Sequence, residues 1–375
     1  MSAPGVELEA VELVRVRVPM RRTRAAAHGT MPAERDVVLV RAIGGDGLEG
    51  WGECSALEAA TYTGEHTDGA WEVLRDHVVP LALAGGRNRP LGHPMASTAV
   101  DVAVTDLTLR RKGLTLAEAT GHADAGARGL SWTAVVGIQD GIDDLLAEVD
   151  EARRRGAAAI KLKIRPGRDQ EPVAAVRAAH ADLRIAADAN GSYSRADGDH
   201  LVELSRGLAH ADGYLEQPLP ADDLPGLVAL ADRLPARVAL DESIVSATDA
   251  GIVGALGARG LVNVKPARLG GVSSTLALAE LVAGQRRRRR PETFLGGLYE
   301  TGVGRSAALA IGALTVTRAE TDLGPSDWYF DDDVTEPIVL DADGRLRGPS
   351  TPGMTRHPRP DRLADVTVER LTVRS

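Results

Sequence analysis

Residues 157–167 read AAAIKLKIRPG, a short apolar run that carries two lysines and ends in a Pro-Gly turn. Six similar runs lie between residues 130 and 297, separated by Ala-rich helical segments: LSWTAVVG, LRIAADAN, GYLEQPL, RVALDES, GLVNVKP and TFLGG. Five successive runs close on Lys163, Asp188, Glu216, Asp241 and Lys265. Neighbours in that series are 24 to 28 residues apart, the length of a strand, a helix and two short loops. With AETDLG as an eighth short strand, the repeat predicts a (β/α)8 barrel.

The chain outside this repeat follows a different pattern. VELVRVRVP (11–19) and RDVVLVRAIGGDGLEGWGE (35–53) alternate like antiparallel strands, and two helical stretches follow, the second ended by Gly113. The tail, with EPIVLDADGRLRG, resumes strand and turn patterning. We therefore predict an α/β fold in three parts. They are an N-terminal α+β domain (1–127), a barrel domain (128–330), and a C-terminal segment (331–375) that returns to the first domain.

Composition excludes several classes of protein. The formal charge of −9 argues against nucleic acid as a partner, and we interpret the one basic run, Arg286 to Arg290, as a solvated loop or helix end. Cys54 is the only cysteine, which excludes a disulfide framework and a cysteine metal cage. The charged N-terminus is unlike a signal peptide, and no apolar stretch reaches the roughly 18–20 residues that cross a bilayer. We expect a cytoplasmic protein without membrane contact.

The polar residues that close the runs are candidates for an active site, because a (β/α)8 barrel carries its site at the C-terminal ends of its strands. Asp188, Glu216 and Asp241 close three successive strands. Their carboxylates form an oxygen-only ligand set, which suits Mg²⁺ or Mn²⁺ far better than zinc. One such acid alone would be a strand-end cap or an ion-pair partner. Three in succession, with lysines on both sides, predict a metal site, because unpaired buried charges are costly.

Lysine is rare in this chain, and its positions indicate chemistry. Of 44 basic residues only four are lysine, and Lys161 and Lys163 share one face of a strand because side chains alternate with period two. Arginine cannot act as a general base, whereas lysine can when positive charge and desolvation lower its pKa. We predict that Lys161 and a metal ion lower the pKa of Lys163, and that Lys265 faces the same mouth. Lys112, in RRKG, is expected at an exposed helix end.

Asparagine is equally scarce. Asn190 lies two residues after Asp188, and Asn263 lies two residues before Lys265. Because of the same period-two alternation, both amides should face the barrel mouth and contact the substrate or the metal ligands.

Five motifs resemble, in this order, the enolase superfamily in its muconate-lactonising branch: KLK, DAN, YLEQPL, LDES and VNVKPARLGG. GGLYETGVGR and GPSDWYFDDDVTEP narrow the resemblance to the o-succinylbenzoate synthase and N-acylamino acid racemase group, and DGLEGWGEC, TYTGE and HVVP are similar to that group's capping domain. The resemblance covers nearly the whole chain. It implies a capped barrel, often a homo-oligomer, in which a lysine base and Mg²⁺ act on a small carboxylate through an enediolate.

The resemblance also implies a role for each matched residue. Asp188, Glu216 and Asp241 match metal ligands. Lys163 and Lys265 match acid/base lysines on either side of the substrate, and Lys161 matches their electrostatic partner. Glu242 and Asn190 match residues that support the ligands, and Gly296 and Gly297 match glycines whose amides approach a substrate carboxylate. The segment Arg21 to Arg35 matches a mobile capping loop.

Two stretches depart from the family pattern, and neither contains a matched catalytic residue. GQRRRRRPETF replaces a short, Gly-containing approach to the seventh strand, and Asp101 occupies a helix position where the family tends to carry Glu.

Several functions remain open on the sequence. The first is dehydration of a cyclohexadiene-carboxylate to o-succinylbenzoate, a step of menaquinone biosynthesis. The second is racemisation of N-acylamino acids such as N-succinylamino acids, either alone or together with the first activity in one protein. Dipeptide epimerisation is disfavoured, because the Asp-x-Asp element near the eighth strand is incomplete. A non-catalytic barrel would not need three acids and three lysines, and the lone Gly-x-Gly at Gly302 lacks the rest of a nucleotide-binding fingerprint.

Overall fold

The computed structural model describes residues 7–86, 92–126, 128–285 and 290–375. The strands are β1 Leu8–Pro19, β2 Ala25–Ala26, β3 Gly29–Thr30, β4 Glu34–Gly44, β5 Glu49–Cys54, β6 Leu130–Val136, β7 Ala159–Lys163, β8 Ile185–Asp188, β9 Tyr214–Glu216, β10 Arg237–Leu240, β11 Gly260–Val264, β12 Glu292–Leu295, β13 Glu320–Thr321, β14 Arg345–Leu346 and β15 Thr367–Arg374. The helices are α1 Thr67–Val73, α2 Val79–Leu83, α3 Pro94–Lys112, α4 Leu116–Ala119, α5 Ala123–Gly126, α6 Ile142–Arg154, α7 Gln170–Ala179, α8 Gly198–Leu208, α9 Leu224–Ala231, α10 Ala250–Leu256, α11 Val272–Ala283, α12 Gly302–Thr315 and α13 Pro360–Val366.

The eight strands β6 to β13 form a closed parallel barrel. Each strand pairs with the next, and β13 pairs with β6 through Thr321 and Trp132, which closes the ring. The barrel fold predicted from the 24-to-28-residue repeat is therefore confirmed, including the short eighth strand at AETDLG. A small buried cluster packs together below the mouth, formed by Ala186, Tyr214, Ala239, Leu261 and Phe294. Every strand in this cluster ends on the same side, so the side chains that follow it share one mouth.

The N-terminal domain is built on an antiparallel sheet in the order β15-β1-β4-β5. The last strand of the chain, β15, pairs along β1, as expected for a tail that returns to this domain. An earlier part of the tail instead joins the barrel, where β14 pairs antiparallel with β6. The C-terminal segment thus contacts both sheets. The domain boundaries at residues 127 and 330 stay predictions.

Two parts of the chain bear on the predictions about surface and membrane. The interpretation of the arginine run concerns Arg286 to Arg290, of which residues 286–289 lie outside the described residues. Lys112 is exposed at the end of α3, and Gly113 follows it with φ of 66°, as the helix-end prediction requires. Within the described ranges, no helix has both the length and the apolar character needed to span a membrane.

The long helix α3 packs directly against β5, and two glycines permit the contact. A Cβ on Gly52 would lie 2.0 Å from the Ala99 carbonyl oxygen, and one on Gly50 would lie 2.2 Å from that of Ala103. Both obstacles are backbone atoms, which cannot rotate away. The small residues of GLEGWGEC therefore set the distance between the sheet and the helix that covers it.

We predict that Gly52→Ala destabilises the protein, because α3 must move away from β5 to make room for the methyl group. Overpacking of this kind costs about 1–3 kcal/mol, and we expect the upper end of that range because the obstacle is a backbone carbonyl. Urea unfolding would measure the change. Gly45→Ala is the matched control, since a Cβ there has open space. A loss below about 0.5 kcal/mol for Gly52→Ala would contradict the packing argument.

Candidate active site

A small cavity of about 40 Å³ lies at the C-terminal mouth of the barrel. Lys161, Lys163, Asp188 and Lys265 line it from the barrel side. His28, Leu57 and Tyr62 line it from the N-terminal domain. The cavity is therefore enclosed by residues from both parts of the chain, with the rare lysines on its floor.

The three predicted ligand carboxylates converge in this floor. Asp188 and Glu216 end β8 and β9 and are opposite each other in the strand register, and Asp241 directly follows β10. All three side chains are buried. One oxygen from each carboxylate lies within 4.8 Å of the others, close enough to hold one metal ion.

Each of the three lysines is paired with a different acid of this group. Lys161 Nζ donates to Glu216 at 3.0 Å and also contacts Asp322. Lys163 Nζ donates to Asp188 at 2.7 Å. On the far side of the mouth, Lys265 Nζ donates to Asp241 Oδ2 at 2.8 Å. Lys163 ends β7 and Lys265 follows β11, four strands apart in a ring of eight, so they enter the site from opposite sides.

The pKa values of these groups reflect burial and mutual charge. The pKa of Glu216 is raised to about 8, by burial first and also by the neighbouring aspartates, although Lys161 lowers it in part. Burial also acts to raise the pKa of Asp241, but Lys265 and Arg268 outweigh it and hold that pKa far below its usual range. The charges therefore divide unequally, with Asp241 firmly ionised and Glu216 the weakest acid of the three.

The pKa of Lys163 differs from the expectation. Burial lowers it, Asp188 raises it, and Lys161 and Lys265 lower it, with a net result above the ordinary lysine value. The lowering that was predicted from Lys161 is thus present, but the adjacent Asp188 carboxylate contributes more. The predicted lowering took account only of the positive neighbours of Lys163, whereas Lys163 is hydrogen-bonded to the Asp188 carboxylate.

The polar residues next to the ligands form a second row of contacts. Asn190 accepts a hydrogen bond from Lys163 at 3.0 Å and donates to Glu242 at 2.8 Å. Asn263 donates to Glu216 at 2.8 Å. The mouth-facing orientation expected of both asparagines is what the structure has. Burial, and then Asp241 and Asp188, raise the pKa of Glu242 to about 7.

The two glycines after β12 lie in crowded surroundings. The Gly296 N–H donates to the Val264 carbonyl at 3.0 Å, and the Gly297 N–H donates to Asp322 at 2.7 Å. Both amides are hydrogen-bonded within the protein in this structure, and their approach to a substrate carboxylate stays a prediction. The glycines are also required by space, since a Cβ on Gly296 would lie 1.8 Å from Asn263 Oδ1.

Four residues near the site were not among the sequence candidates. Tyr62 accepts from Lys265 at 2.9 Å and donates to Asp241 at 3.1 Å, and Arg268 donates to Asp241 at 2.8 Å. Asp322 contacts Lys161, and His28 forms part of the roof. Asp322 directly follows the eighth strand and was signalled by AETDLG. His28 lies in the segment Arg21 to Arg35 that was matched to a capping loop, whereas no sequence signal places Tyr62 here, because its partners lie in the barrel.

The donor set fits a divalent cation. Among the described residues, five carboxyl groups lie around the triad, Asp188, Glu216, Asp241, Glu242 and Asp322, together with four cationic side chains, Lys161, Lys163, Lys265 and Arg268. All of them are buried except Glu242 and Lys163, which are partly buried. The cluster thus contains one more carboxyl group than cationic side chains, and this excess of acidic groups is consistent with the high pKa of Glu216. Glu242 Oε2 and Asn263 Oδ1 are buried acceptors that find no hydrogen-bond partner in the part of the chain that the structure describes. Oxygen ligands of this kind suit a hard cation.

The chain is similar to known proteins over nearly its whole length. Residues 144–362 match the Enolase C-terminal domain-like family. N-succinylamino acid racemase of an Amycolatopsis species is 37% identical, with 99% of this chain and 100% of that protein covered. The o-succinylbenzoate synthase of Bacillus subtilis strain 168 is 31% identical, with 93% and 94% covered. The structure of muconate lactonizing enzyme from Pseudomonas fluorescens complexed with muconolactone superposes with a TM-score of 0.85 at 25% identity, covering 97% of this chain and 100% of that one.

We predict that the carboxylate triad binds a divalent cation, and that Asp188→Asn weakens the affinity at least about tenfold because one of three charged ligands is lost. Calorimetric titration of the full-length protein would measure both affinities. Glu203→Gln is the control, because this glutamate is exposed on the surface of α8 and should bind as the parent does. Equal affinities for Asp188→Asn and the parent would refute the ligand assignment.

Proposed function

The chain belongs to the enolase superfamily, in its muconate-lactonising branch, and we propose that it removes a proton next to a carboxylate to form an enediolate. The proposed reaction is dehydration of a cyclohexadiene-carboxylate to o-succinylbenzoate, as in menaquinone biosynthesis. The observation that carries the proposal is the pair Lys163 and Lys265, which enter one cavity from opposite sides beside a carboxylate triad. The named relatives support the same chemistry.

The residues of the chain divide the work between the two faces of the substrate. Lys163 takes the proton from the α-carbon on one face. Its hydrogen bond to Asp188 favours the charged form of the lysine, and a metal ion held by Asp188 would offset that carboxylate's charge and favour the neutral form that a base needs. Lys265 presents an ammonium group to the other face, held by Asp241 and Tyr62. Asp188, Glu216 and Asp241 would hold Mg²⁺ or Mn²⁺, which supplies positive charge to the enediolate oxygens. Lys161 stays charged between Glu216 and Asp322 and balances these acids.

Racemisation of N-succinylamino acids is the second candidate. It is favoured by the facing lysines, since a racemase must remove a proton on one face and return one on the other. The Amycolatopsis relative carries that name. Dipeptide epimerisation has less support, because the aspartate of AETDLG is already bonded to Lys161 and to the Gly297 amide. A cytoplasmic location and a homo-oligomeric state stay predictions.

We expect Lys163→Arg to abolish turnover nearly completely, because arginine keeps the charge but its pKa is too high for a general base. Steady-state assays of dehydration and of racemisation would measure the loss, and cation titration would show that the site is intact. Lys112→Arg is the matched control, being the exposed lysine at the end of α3. Turnover of Lys163→Arg within about tenfold of the parent would show that the base lies elsewhere.

The variant Lys265→Arg separates the two candidate reactions. A syn dehydration can use Lys163 alone, first as base and then as acid to the departing hydroxyl, whereas racemisation needs proton exchange on both faces. We therefore expect the variant to lose racemisation almost completely and to keep a measurable fraction of dehydration.

The same variant can be tested by isotope exchange in deuterated water. It should exchange the α-proton of only one enantiomer of an N-succinylamino acid, the one whose proton faces Lys163. Nuclear magnetic resonance or mass spectrometry of the recovered substrate would show this. Equal exchange of both enantiomers, or racemisation at the parent rate, would refute the facing-lysine arrangement.

A further inference from the structure

Arg35, at the start of β4, is a buried arginine whose guanidinium group is bonded to backbone carbonyls. It is 1% exposed, and within the described part of the chain none of its hydrogen bonds goes to a carboxylate. Nε donates to Tyr299 at 3.3 Å, Nη1 donates to Asp36 at 2.9 Å and Ala56 at 2.8 Å, and Nη2 donates to Ser55 at 2.6 Å and Leu298 at 3.3 Å. Five carbonyls thus use the five N–H groups that a guanidinium offers.

Four of these five carbonyls belong to two segments that line the active-site cavity, and the fifth, that of Asp36, lies on β4 itself. Ser55 and Ala56 precede Leu57 in the N-terminal domain, and Leu298 and Tyr299 follow β12 in the barrel. Leu57, Leu298 and Tyr299 are all lining residues. Arg35 itself does not line the cavity. Arg35 therefore links the Ser55–Ala56 segment of the N-terminal domain to the Leu298–Tyr299 segment of the barrel, on the side away from the cavity.

A buried glutamate of the same sheet holds the barrel segment from its other end. Glu53, on β5, accepts hydrogen bonds from the Thr301 amide at 3.1 Å, from the Thr301 hydroxyl at 2.5 Å and from the Gly304 amide at 3.0 Å. Those amides lie at the start of α12, where N–H groups lack helical partners and a negative charge is favoured. Carbonyls at the front of the segment therefore meet a guanidinium group, and amides at its end meet the oxygens of a carboxyl group.

The segment between these two anchors contains a strained backbone conformation that needs support from its surroundings. Tyr299 has φ of 58°, in the left-handed region that a bulky side chain rarely adopts. Such a residue costs of order 1–3 kcal/mol and persists only where its surroundings impose it. The carbonyl of this same residue is one of the five that Arg35 binds.

We propose that Arg35 and Glu53 form an interdomain clamp, and that they are positioning residues which hold Leu298 and Tyr299 against the substrate. The consequence for substrate rests on the proposed function, whereas the clamp itself does not. Arg35 and Glu53 both belong to the N-terminal sheet. The position of Leu298 and Tyr299, which follow β12 of the barrel, therefore depends on how the two domains are joined.

The test uses Arg35→Lys and Glu53→Gln in the full-length protein. An ammonium has three N–H donors in place of five, so Arg35→Lys must leave carbonyls unbonded. The amide introduced by Glu53→Gln would present an N–H group where two backbone amides already donate. Arg110→Lys is the matched control. Arg110 also ties the N-terminal domain to a carbonyl, that of Thr355, but its partners Asp106 and Thr355 lie away from the cavity lining.

The first readout is hydrogen–deuterium exchange of the peptide that spans residues 296–301. Four amides in it are bonded in the parent, those of Gly296, Gly297, Leu298 and Thr301. We expect exchange at least about tenfold faster in both clamp variants and unchanged in the control, a factor that corresponds to about 1.4 kcal/mol. Unchanged exchange in both clamp variants would overturn the clamp. This readout needs no substrate, so it stands even if the parent proves inactive and the proposed function fails.

The second readout is the separation of KM from kcat. Displacement of two wall residues should raise KM at least about tenfold while kcat falls less, because the lysines and the carboxylate triad are not among the bonds removed. If Arg35→Lys does not fold, Glu53→Gln decides, since it releases the same segment from its other end. Added guanidinium should restore KM in Arg35→Ala, whereas ammonium should not. Faster exchange with KM unchanged would overturn the positioning role.

Discussion

The constraint on which this structure depends is the burial of several ion pairs at one end of a barrel. Each of the three mouth lysines is bonded to an acid on another strand end, and a lone charge in the same place would cost several kcal/mol. The pairs run from β7 to β9, from β7 to β8, and between the residues that follow β10 and β11. They are satisfied together only if these strands keep their register, so the electrostatics and the topology specify the same arrangement.

The same constraint explains why the interior below the mouth is built as it is. Ala186 and Ala239 are small, and Tyr214 and Phe294 are large, and together they close the barrel beneath the charges. The Phe294 ring lies 5.7 Å from Lys161 Nζ, so an apolar layer begins directly under the ion pairs. Water is thereby kept from one side of the cluster. The side that remains open is the one that the N-terminal domain covers.

The sequence predicted what depends on short-range patterns. Strand spacing indicated the barrel, and period-two alternation placed Lys161, Lys163, Asn190 and Asn263 at the mouth. Contacts between distant parts of the chain were not predictable in this way. Tyr62 meets Lys265 across 203 positions, and no local signal in TYTGE indicates that partner. The partners of the Gly296 and Gly297 amides were unpredictable for a related reason, because Val264 and Asp322 must be placed in space before those hydrogen bonds can be identified.

The lining of the cavity shows that the two domains share the site. His28, Leu57 and Tyr62 come from the N-terminal domain, and Leu298 and Tyr299 come from the barrel. The floor is fixed by ion pairs, and the Leu298–Tyr299 wall is bonded to both domains. The hairpin β2–β3 that carries His28 is bonded to the barrel as well, through Arg24 to Val135 and Glu148 and through the Ala25 carbonyl to the Ile138 amide. These walls are held by bonds between the domains, so the shape of the site depends on how the two domains are joined.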